Sequence, residues 1–465
     1  VRRAVRASFL VVVSTGMALT RLKNVFEPDV SSYDPALADE IDSARALLEN
    51  CKPHHREAIQ LAMHDMYGKR MEALITLPKA WEEHLKNNVL KDKRDYPLML
   101  TFLQCTIWVT FSSCVQLFVL PKSGWSYLWA LVHIPVTWAL FAERFILAMH
   151  YAAHRPLFSE RSAWGRTAWV LNNAPQWVLS NFWGMPSGAY YLHHIVMHHQ
   201  ANNCFPYDIS STMPYDRGNF LHWIHYMINF LLHTLLYLPF YAVVKRRFSL
   251  AALSLWTTAC YLGSYYMLAR NPSTVLFFNI SFGSAFLMGP FALMLGNFSQ
   301  HIFVDPKDPT SNYGLATNHL QVPFNLVTFN DGYHITHHVD SHCHWSQMPM
   351  HFMKHIDRYE AGGAICFKGL NFNQVSIAIW MGKLEWLAER IVQLRPDPLS
   401  KAELVSMMRE RLQPIRSDSI GTKQRGVFLA NQLMWVAAWA FGFPLAVVPA
   451  VAAPVFYALS AVVMA

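Results

Sequence analysis

The chain has 465 residues, of which 53% are hydrophobic and 14% aromatic, and its formal net charge is +8. Long apolar runs at this composition exclude an ordinary soluble protein and predict a polytopic membrane protein with sizeable soluble parts. The basic residues are scattered without a nucleic-acid-binding motif, and the seven cysteines form no C-x-x-C pair, which excludes a nucleic-acid partner, a disulfide framework and an iron–sulfur cluster.

The first 96 residues divide into two parts before the first long apolar run. Residues 1–33 carry basic side chains and a short apolar core, which cannot cross a bilayer and predicts a targeting remnant or an interfacial segment. Residues 34–96 are polar and rich in Ala, Leu, Glu and Lys, so we predict a soluble helical region.

Two apolar segments, 99–120 and 126–149, predict the first pair of membrane spans. Lys91, Lys93 and Arg94 precede the first span and place its start on the cytosolic side. The second span therefore returns to that side, where it ends directly before His150.

Histidines recur at metal-ligand spacing beside the apolar segments. His150 and His154 are four residues apart, so their rings lie on one face of a helix. Similar spacings relate His194, His198 and His199, then Asn297 and His301, and finally His334, His337 and His338. Nine imidazoles exceed the four ligands of a zinc site and suit two metal ions. Because no Glu-x-x-His pair of the carboxylate di-iron bundles is present, this nitrogen-rich set indicates two iron ions that activate dioxygen.

The segments between the second and third histidine groups must cross the membrane an even number of times, since all groups share one side. Three apolar segments lie there, at 219–243, 248–268 and 274–295. Because 219–243 contains three histidines and ends in basic residues, we predict that it is interfacial or re-entrant. The other two then form the second membrane hairpin.

These observations predict an all-α polytopic membrane protein. About four core transmembrane helices form two hairpins, and a cytosolic-side helical cap holds a di-metal site. The membrane and metal-binding domain covers residues 97–360, and a soluble helical region covers 361–427. Residues 428–465 are apolar and predict an additional C-terminal membrane segment.

The histidine groups resemble the histidine boxes of the membrane-bound fatty acid desaturase and hydroxylase superfamily over residues 97–360. Asn297-x-x-x-His301 resembles the additional ligand pair of acyl-CoA desaturases, in which the histidine binds iron and the asparagine reaches it through water. The resemblance implies a di-iron, O2-dependent oxidoreductase that introduces a double bond into the acyl chain of a lipid or thioester.

One departure leaves a second reaction open. The second box has three residues between His194 and His198, where acyl-CoA desaturases have two, and the longer spacing also resembles alkane hydroxylases. The alternatives are therefore a di-iron hydroxylase of a fatty acid, alkane or carotenoid, or a desaturase-like structural subunit of a membrane complex.

The resemblance also implies an external electron donor, because the chain has neither the haem motif of a fused cytochrome b5 nor a flavin or nicotinamide fingerprint. A separate cytochrome b5 or ferredoxin is expected. Both are acidic, so candidate docking residues are Arg94, Lys245, Arg246 and Arg247, with ordinary positive-inside charges as the alternative.

Further polar residues near the boxes predict support for the ligands. Four residues could each fix the tautomer of a ligand histidine by a hydrogen bond, namely Asp305, Asn330, Asp331 and Asp340. We expect an integral, multi-pass protein, with the endoplasmic reticulum, a plastid or a mitochondrion as alternative locations in a eukaryote. Residues 428–465 would anchor the chain or dock a membrane-complex partner.

Overall fold

The computed structural model describes residues 38–67, 74–120, 123–161, 165–205 and 207–415. The predicted segments 1–33 and 428–465 lie outside the described residues. The described part is mainly helical, which confirms the helical character of the fold, and it also contains one small sheet that was not predicted.

The N-terminal region forms a helical hairpin of Ala38–Asn50 and Arg56–Tyr67, separated where Pro53 begins a new turn. Ala58, Ile59, Ala62 and Met63 are buried at helical spacing. Both helices pack on the helix Met348–Lys354, which follows the third histidine box. The hairpin is therefore joined to the histidine-bearing part of the chain.

Three helical stretches are long and apolar enough to cross a membrane: Lys93–Val119, Gly124–His154 and Val275–Gln300. They coincide with three of the four predicted spans. Each includes a π-helical turn, and the second also contains Pro135. Such turns widen a helix without ending it.

The remaining predicted span, 248–268, and the segment predicted to be interfacial or re-entrant, 219–243, are both unbroken helices. Phe220–Val244 begins with Asn219, whose side chain accepts the amide of Leu221, and Phe248–Arg270 packs beside it. Phe248–Arg270 is not among the three described stretches that are long and apolar enough to cross a membrane. The crossing pattern of this hairpin stays a prediction.

The sheet is a departure from the predicted all-α fold. Its order is β1 (Thr317–Leu320), β2 (Ile365–Lys368), β3 (Ile391–Val392), with β1 and β2 parallel and β2 and β3 antiparallel. Strands of two to four residues are too short to show a recognisable alternation of apolar and polar residues in the sequence. Pairing of β1 with β2 connects residues on either side of the boundary predicted at 360.

The periodicity from 375 to 394 predicts one helix, but the structure has two, Phe372–Trp380 and Leu384–Ala388. Gly382 lies between them with φ +72°, a left-handed conformation that ends the first helix. The remaining helices include Lys79–His84, Tyr96–Cys114, Ala130–Val136, Glu143–His154, Gly165–Trp177, Ala189–Tyr191, His199–Ala201, Val275–Phe277, Ser284–Gln300, Pro323–Val327, His334–Val339, Ile356–Ala361 and Lys401–Leu412.

Candidate metal centre

The structure brings all nine predicted histidines together at the ends of four separate elements. Five of them offer nitrogens that lie within 4.8 Å of one another: His150, His154, His194, His199 and His337. A second group with the same property comprises His198, His301 and His338. His334 joins this second group, since its Nε2 is 3.2 Å from Nε2 of His301.

The spacing of the nitrogens in the first group fits a metal ion. Nε2 of His337 is 2.8 Å from Nε2 of His150 and 3.0 Å from Nε2 of His199. Nε2 of His194 is 3.0 Å from Nε2 of both His154 and His199. Metal–nitrogen bonds of about 2.1 Å at right angles place neighbouring nitrogens about 3 Å apart. The nitrogens are therefore arranged as ligands around one point.

The second group offers a smaller set of ligands. The ring centroid of His301 lies 5.1 Å from that of His198 and 4.9 Å from that of His338. Nε2 of His338 is buried and has no hydrogen-bond partner among the described residues. A buried polar atom without a partner is unfavourable, and a bound metal ion would supply the missing partner.

A π-helical turn distributes the second box between the two groups. The chain is π-helical from Leu192 to His198, and the amide of His199 donates to the carbonyl of His194 five residues earlier. This wider turn puts His194 and His199 in the first group and His198 in the second. The extra residue of the second box is thus absorbed locally, and π turns often occur at functional sites.

The third box occupies the short helix His334–Val339, as its spacing predicts. His334 lies one turn from both His337 and His338, but the two later rings point to different groups. One helical turn therefore connects the two histidine groups.

One of the four predicted supporting residues contacts a ligand histidine. Asp331 Oδ1 is 3.3 Å from Nδ1 of His150. The other three contact different groups. Asp305 forms an ion pair with Arg411, Asn330 donates to the carbonyl of Trp345, and Asp340 accepts the amide of His342.

Three supporting contacts were not predicted. Nδ1 of His198 is 2.6 Å from Asp208 Oδ2, and Nδ1 of His301 is 2.9 Å from the carbonyl of Leu315. Nδ1 of His338 is 3.2 Å from Asn202 Oδ1. Each contact engages the outer nitrogen and turns Nε2 towards the centre. In the sequence, Asp208 is marked only by its charge and by its position shortly after the second box.

Asn297 is half-buried beside the histidines; its carbonyl accepts the amide of His301 at 3.3 Å, and its side chain is hydrogen-bonded to other residues. Its amide nitrogen donates to the hydroxyl of Tyr226 at 2.7 Å and to the carbonyl of Ser210 at 3.3 Å. These two contacts fix the amide nitrogen and leave Oδ1 for another donor. The predicted contact to iron through water stays a prediction.

Burial keeps six of the candidate ligands neutral. Burial, reinforced by neighbouring histidines, holds the pKa well below the usual range for His194, His199, His334, His337 and His338. Burial also lowers the pKa of His301 to about 3. Neutral imidazole is the metal-binding form, so these side chains are ready to bind at neutral pH.

A cavity of about 270 Å³ with both apolar and polar walls reaches the histidine cluster. Its wall includes ligand candidates His150, His194 and His334 together with side chains such as Ile146, Leu147, Phe291 and Leu293. A smaller cavity of about 50 Å³ shares Tyr190, His193 and Leu293 with it. The apolar part of this wall, next to the histidines, suits an alkyl chain.

The predicted docking residues occupy two separate places. Arg94 is paired with Asp92 at 2.7 Å. Lys245, Arg246 and Arg247 are exposed at the end of the helix Phe220–Val244. Their role in binding an electron donor stays a prediction.

Comparison with known families gives one match. The sequence model described as "Fatty acid desaturase" matches residues 123–369, just over half of the chain, and this range includes all ten predicted ligand residues. A search of curated proteins found no match. A search of solved structures found none either.

Proposed function

The chain belongs to the fatty acid desaturase family, and we propose that it is an O2-dependent oxidoreductase that introduces a double bond into an acyl chain. Two iron ions bound by the two histidine groups would serve as its cofactors. The proposal rests above all on one observation. Five imidazoles surround one point, and two of them, His150 and His194, line a cavity whose wall also contains apolar side chains.

The donor set fits iron. Nine of the ten candidate ligands offer imidazole nitrogens, which suit iron, and neither of the two histidine groups includes a cysteine or a carboxylate. His150, His154, His194, His199 and His337 would hold the first ion. His198, His301, His334 and His338 would hold the second.

Bound iron would supply activation of dioxygen and removal of hydrogen from an unactivated C–H bond. The protein's contribution is binding, orientation and exclusion of water. Leu147, Phe291 and Leu293 would hold the alkyl chain against the histidine cluster. In the overall reaction, a CH2–CH2 unit, O2, two electrons and two protons give a CH=CH unit and two molecules of water.

Hydroxylation is the second candidate, and the sequence raises it because the second box has the longer spacing that also resembles alkane hydroxylases. In that reaction a C–H bond, O2, two electrons and two protons give an alcohol and one molecule of water. The two reactions need the same ligands and the same electrons, and they differ in how the chain lies relative to the metal. A structural subunit is less well supported, because such a role does not require nine converging histidines.

We also propose that electrons come from a separate acidic protein, a cytochrome b5 or a ferredoxin. The exposed cations Lys245, Arg246 and Arg247 offer a basic surface for it. Membrane lipid or an acyl thioester would be the substrate, and the chain would work within a membrane, consistent with its three apolar helical stretches.

The test combines metal content with lipid analysis. Purified protein should contain about two iron ions per chain, and its expression in a host should add double bonds to the host's lipids. His337→Ala should abolish the new products. The matched control is His133→Gln, which alters a buried histidine that is hydrogen-bonded to Ser112 away from the cluster.

The outcomes separate the candidates. Hydroxylated lipids in place of unsaturated ones would favour the second reaction. Iron-loaded protein with a working donor that changes no lipid of the host would contradict both enzyme proposals.

A further inference from the structure

Arg217 is a fully buried cation that belongs to neither histidine group. Its guanidinium donates hydrogen bonds of 2.7–3.3 Å to backbone carbonyls on three separate parts of the chain. The acceptors are the carbonyl oxygens of Thr212, Met213, Tyr215, Ile302, Arg411 and Gln413. A buried charge is costly unless hydrogen bonds satisfy it. So many carbonyls around one buried charge indicate that Arg217 fixes the relative position of the segments that carry them.

The first of these segments carries the ligand candidate His301. The helix Ser284–Gln300 ends immediately before His301, and residues 302–304 have no regular secondary structure. The carbonyl of His301 accepts the hydroxyl of Thr212 at 2.8 Å, and the next carbonyl, of Ile302, accepts Nε of Arg217 at 2.9 Å. Because no helix continues through His301, these contacts determine where its backbone lies.

The same guanidinium holds the loop that follows the second histidine box. Nη1 of Arg217 donates to the carbonyls of Thr212 and Tyr215 at 3.0 Å and 3.3 Å. The loop also contains Asp208, whose Oδ2 is 2.6 Å from Nδ1 of His198. His198 and His301 both belong to the second histidine group. One side chain therefore secures the surroundings of two ligand candidates for one metal ion.

The third segment is the end of a helix that lies outside the family match. The helix Lys401–Leu412 follows the matched range 123–369. Nη2 of Arg217 donates to the carbonyls of Arg411 and Gln413 at 2.9 Å and 2.7 Å, and its amide donates to the carbonyl of Leu412 at 2.9 Å. The last carbonyls of a helix have no partner within it, and a cation there is favourable. Arg217 therefore joins this helix end to the second histidine group.

We propose that Arg217 is a positioning residue for the second metal ion and couples the binding of that ion to the docking of the helix Lys401–Leu412. It acts through His301 and through the loop that carries Asp208, and it does not itself bind the ion. The inference rests on the proposed function, which assigns an ion to the second histidine group. Because coupling between two sites is reciprocal, this ion should in turn stabilise the helix.

The first test measures iron binding without turnover. Iron-free protein in detergent would be titrated with Fe(II) under anaerobic conditions, in competition with a chelator. Arg217→Lys keeps the charge but replaces the planar guanidinium with a single nitrogen, so it should weaken the second ion roughly 10–100-fold and leave the first unchanged. Thr212→Val, which removes the hydroxyl that holds the carbonyl of His301, should have a smaller effect in the same direction. Mössbauer spectra should lose the signal of one iron only.

The second test measures hydrogen exchange of the backbone amides in residues 401–412. Exchange should be slower in iron-loaded than in iron-free protein, and Arg217→Lys should remove this difference. The matched control is Thr137→Val, which removes a buried threonine hydroxyl that accepts Nε1 of Trp108 in the second span. It should bind both ions as the unaltered protein does. A purely structural arginine would change stability without distinguishing the two ions.

The outcomes are separable. Unchanged binding of both ions in Arg217→Lys, or equal weakening of both, would overturn the inference, and Thr212→Val decides by the same criterion if Arg217→Lys does not fold. Exchange in residues 401–412 that is the same with and without iron would overturn it as well. Selective loss of the second ion, in protein that oxidises no lipid, would support the inference while contradicting the proposed function.

Discussion

Asp65 connects the N-terminal hairpin to the segment that precedes the third histidine box. Its Oδ2 accepts the hydroxyl of Tyr333 at 2.7 Å, the amide of Gln321 at 2.9 Å and Nδ2 of Asn325 at 3.3 Å. Tyr333 immediately precedes His334. We therefore predict that Asp65→Ala destabilises the protein and loosens the metal centre, although Asp65 lies outside the family match.

The backbone of this segment makes the contact more important. Gln321, Phe329 and Asn330 have φ of 54°, 57° and 58°, a left-handed conformation that is unfavourable for residues other than glycine. Packing is also tight, since a Cβ at Gly332 would lie 2.2 Å from Asn325 Oδ1. Such a conformation persists only where surrounding contacts hold it.

The expected size of the effect follows from the donors that Asp65→Ala would leave behind. Tyr333 and Asn325 are fully buried, and each unpaired buried donor costs about 1–3 kcal/mol. Water entering the space would recover part of this, so we expect a loss of about 3 kcal/mol in the free energy of unfolding. Tyr333→Phe, which removes a donor instead of the acceptor, should cost about 1 kcal/mol.

The assay has two readouts. Chemical unfolding in detergent gives the free energy of unfolding for Asp65→Ala, Tyr333→Phe and the double variant, and the cycle gives the coupling between the two side chains. Release of iron to a chelator under native conditions should be faster in Asp65→Ala. A loss below 0.5 kcal/mol, which is usual for surface substitutions, together with unchanged iron release, would refute the reasoning.

Three further predictions concern pH and metal content. Burial raises the pKa of Asp65 to about 7, so the folded state binds more protons than the unfolded state between about pH 4 and 7. Stability should fall as pH rises through this window, by at most about 4 kcal/mol, and unfolding curves of Asp65→Asn should lack this component. His337→Ala and His338→Ala affect different groups, so elemental analysis should find about one metal per chain in each, and complete loss would contradict two separate positions. Asp208→Asn should weaken binding at the second position roughly 10–100-fold in a chelator competition, since it alters the partner of His198.

The sequence was sufficient to predict features that depend on short spacing. His334, His337 and His338 occupy one helical turn, as the H-x-x-H-H pattern indicates. Each of the three candidate membrane helices also matches an apolar run of the required length. These predictions succeed because period and length are local properties.

Contacts between distant residues could not be predicted in the same way. Asp305 lies only four residues after His301 in the sequence, but it pairs with Arg411, which lies 106 residues away. Asn202, in contrast, reaches His338 across 136 residues. Nearness in sequence to a ligand is therefore poor evidence for a supporting contact, because the fold decides which loops meet.

The π turn at Leu192–His198 bears on the choice between desaturation and hydroxylation. The longer second box resembles hydroxylases, but the wider turn absorbs the additional residue and still places His194 and His199 in one metal group. Spacing within the box consequently carries little information about the product. The product depends on which hydrogens of the chain lie nearest the metal.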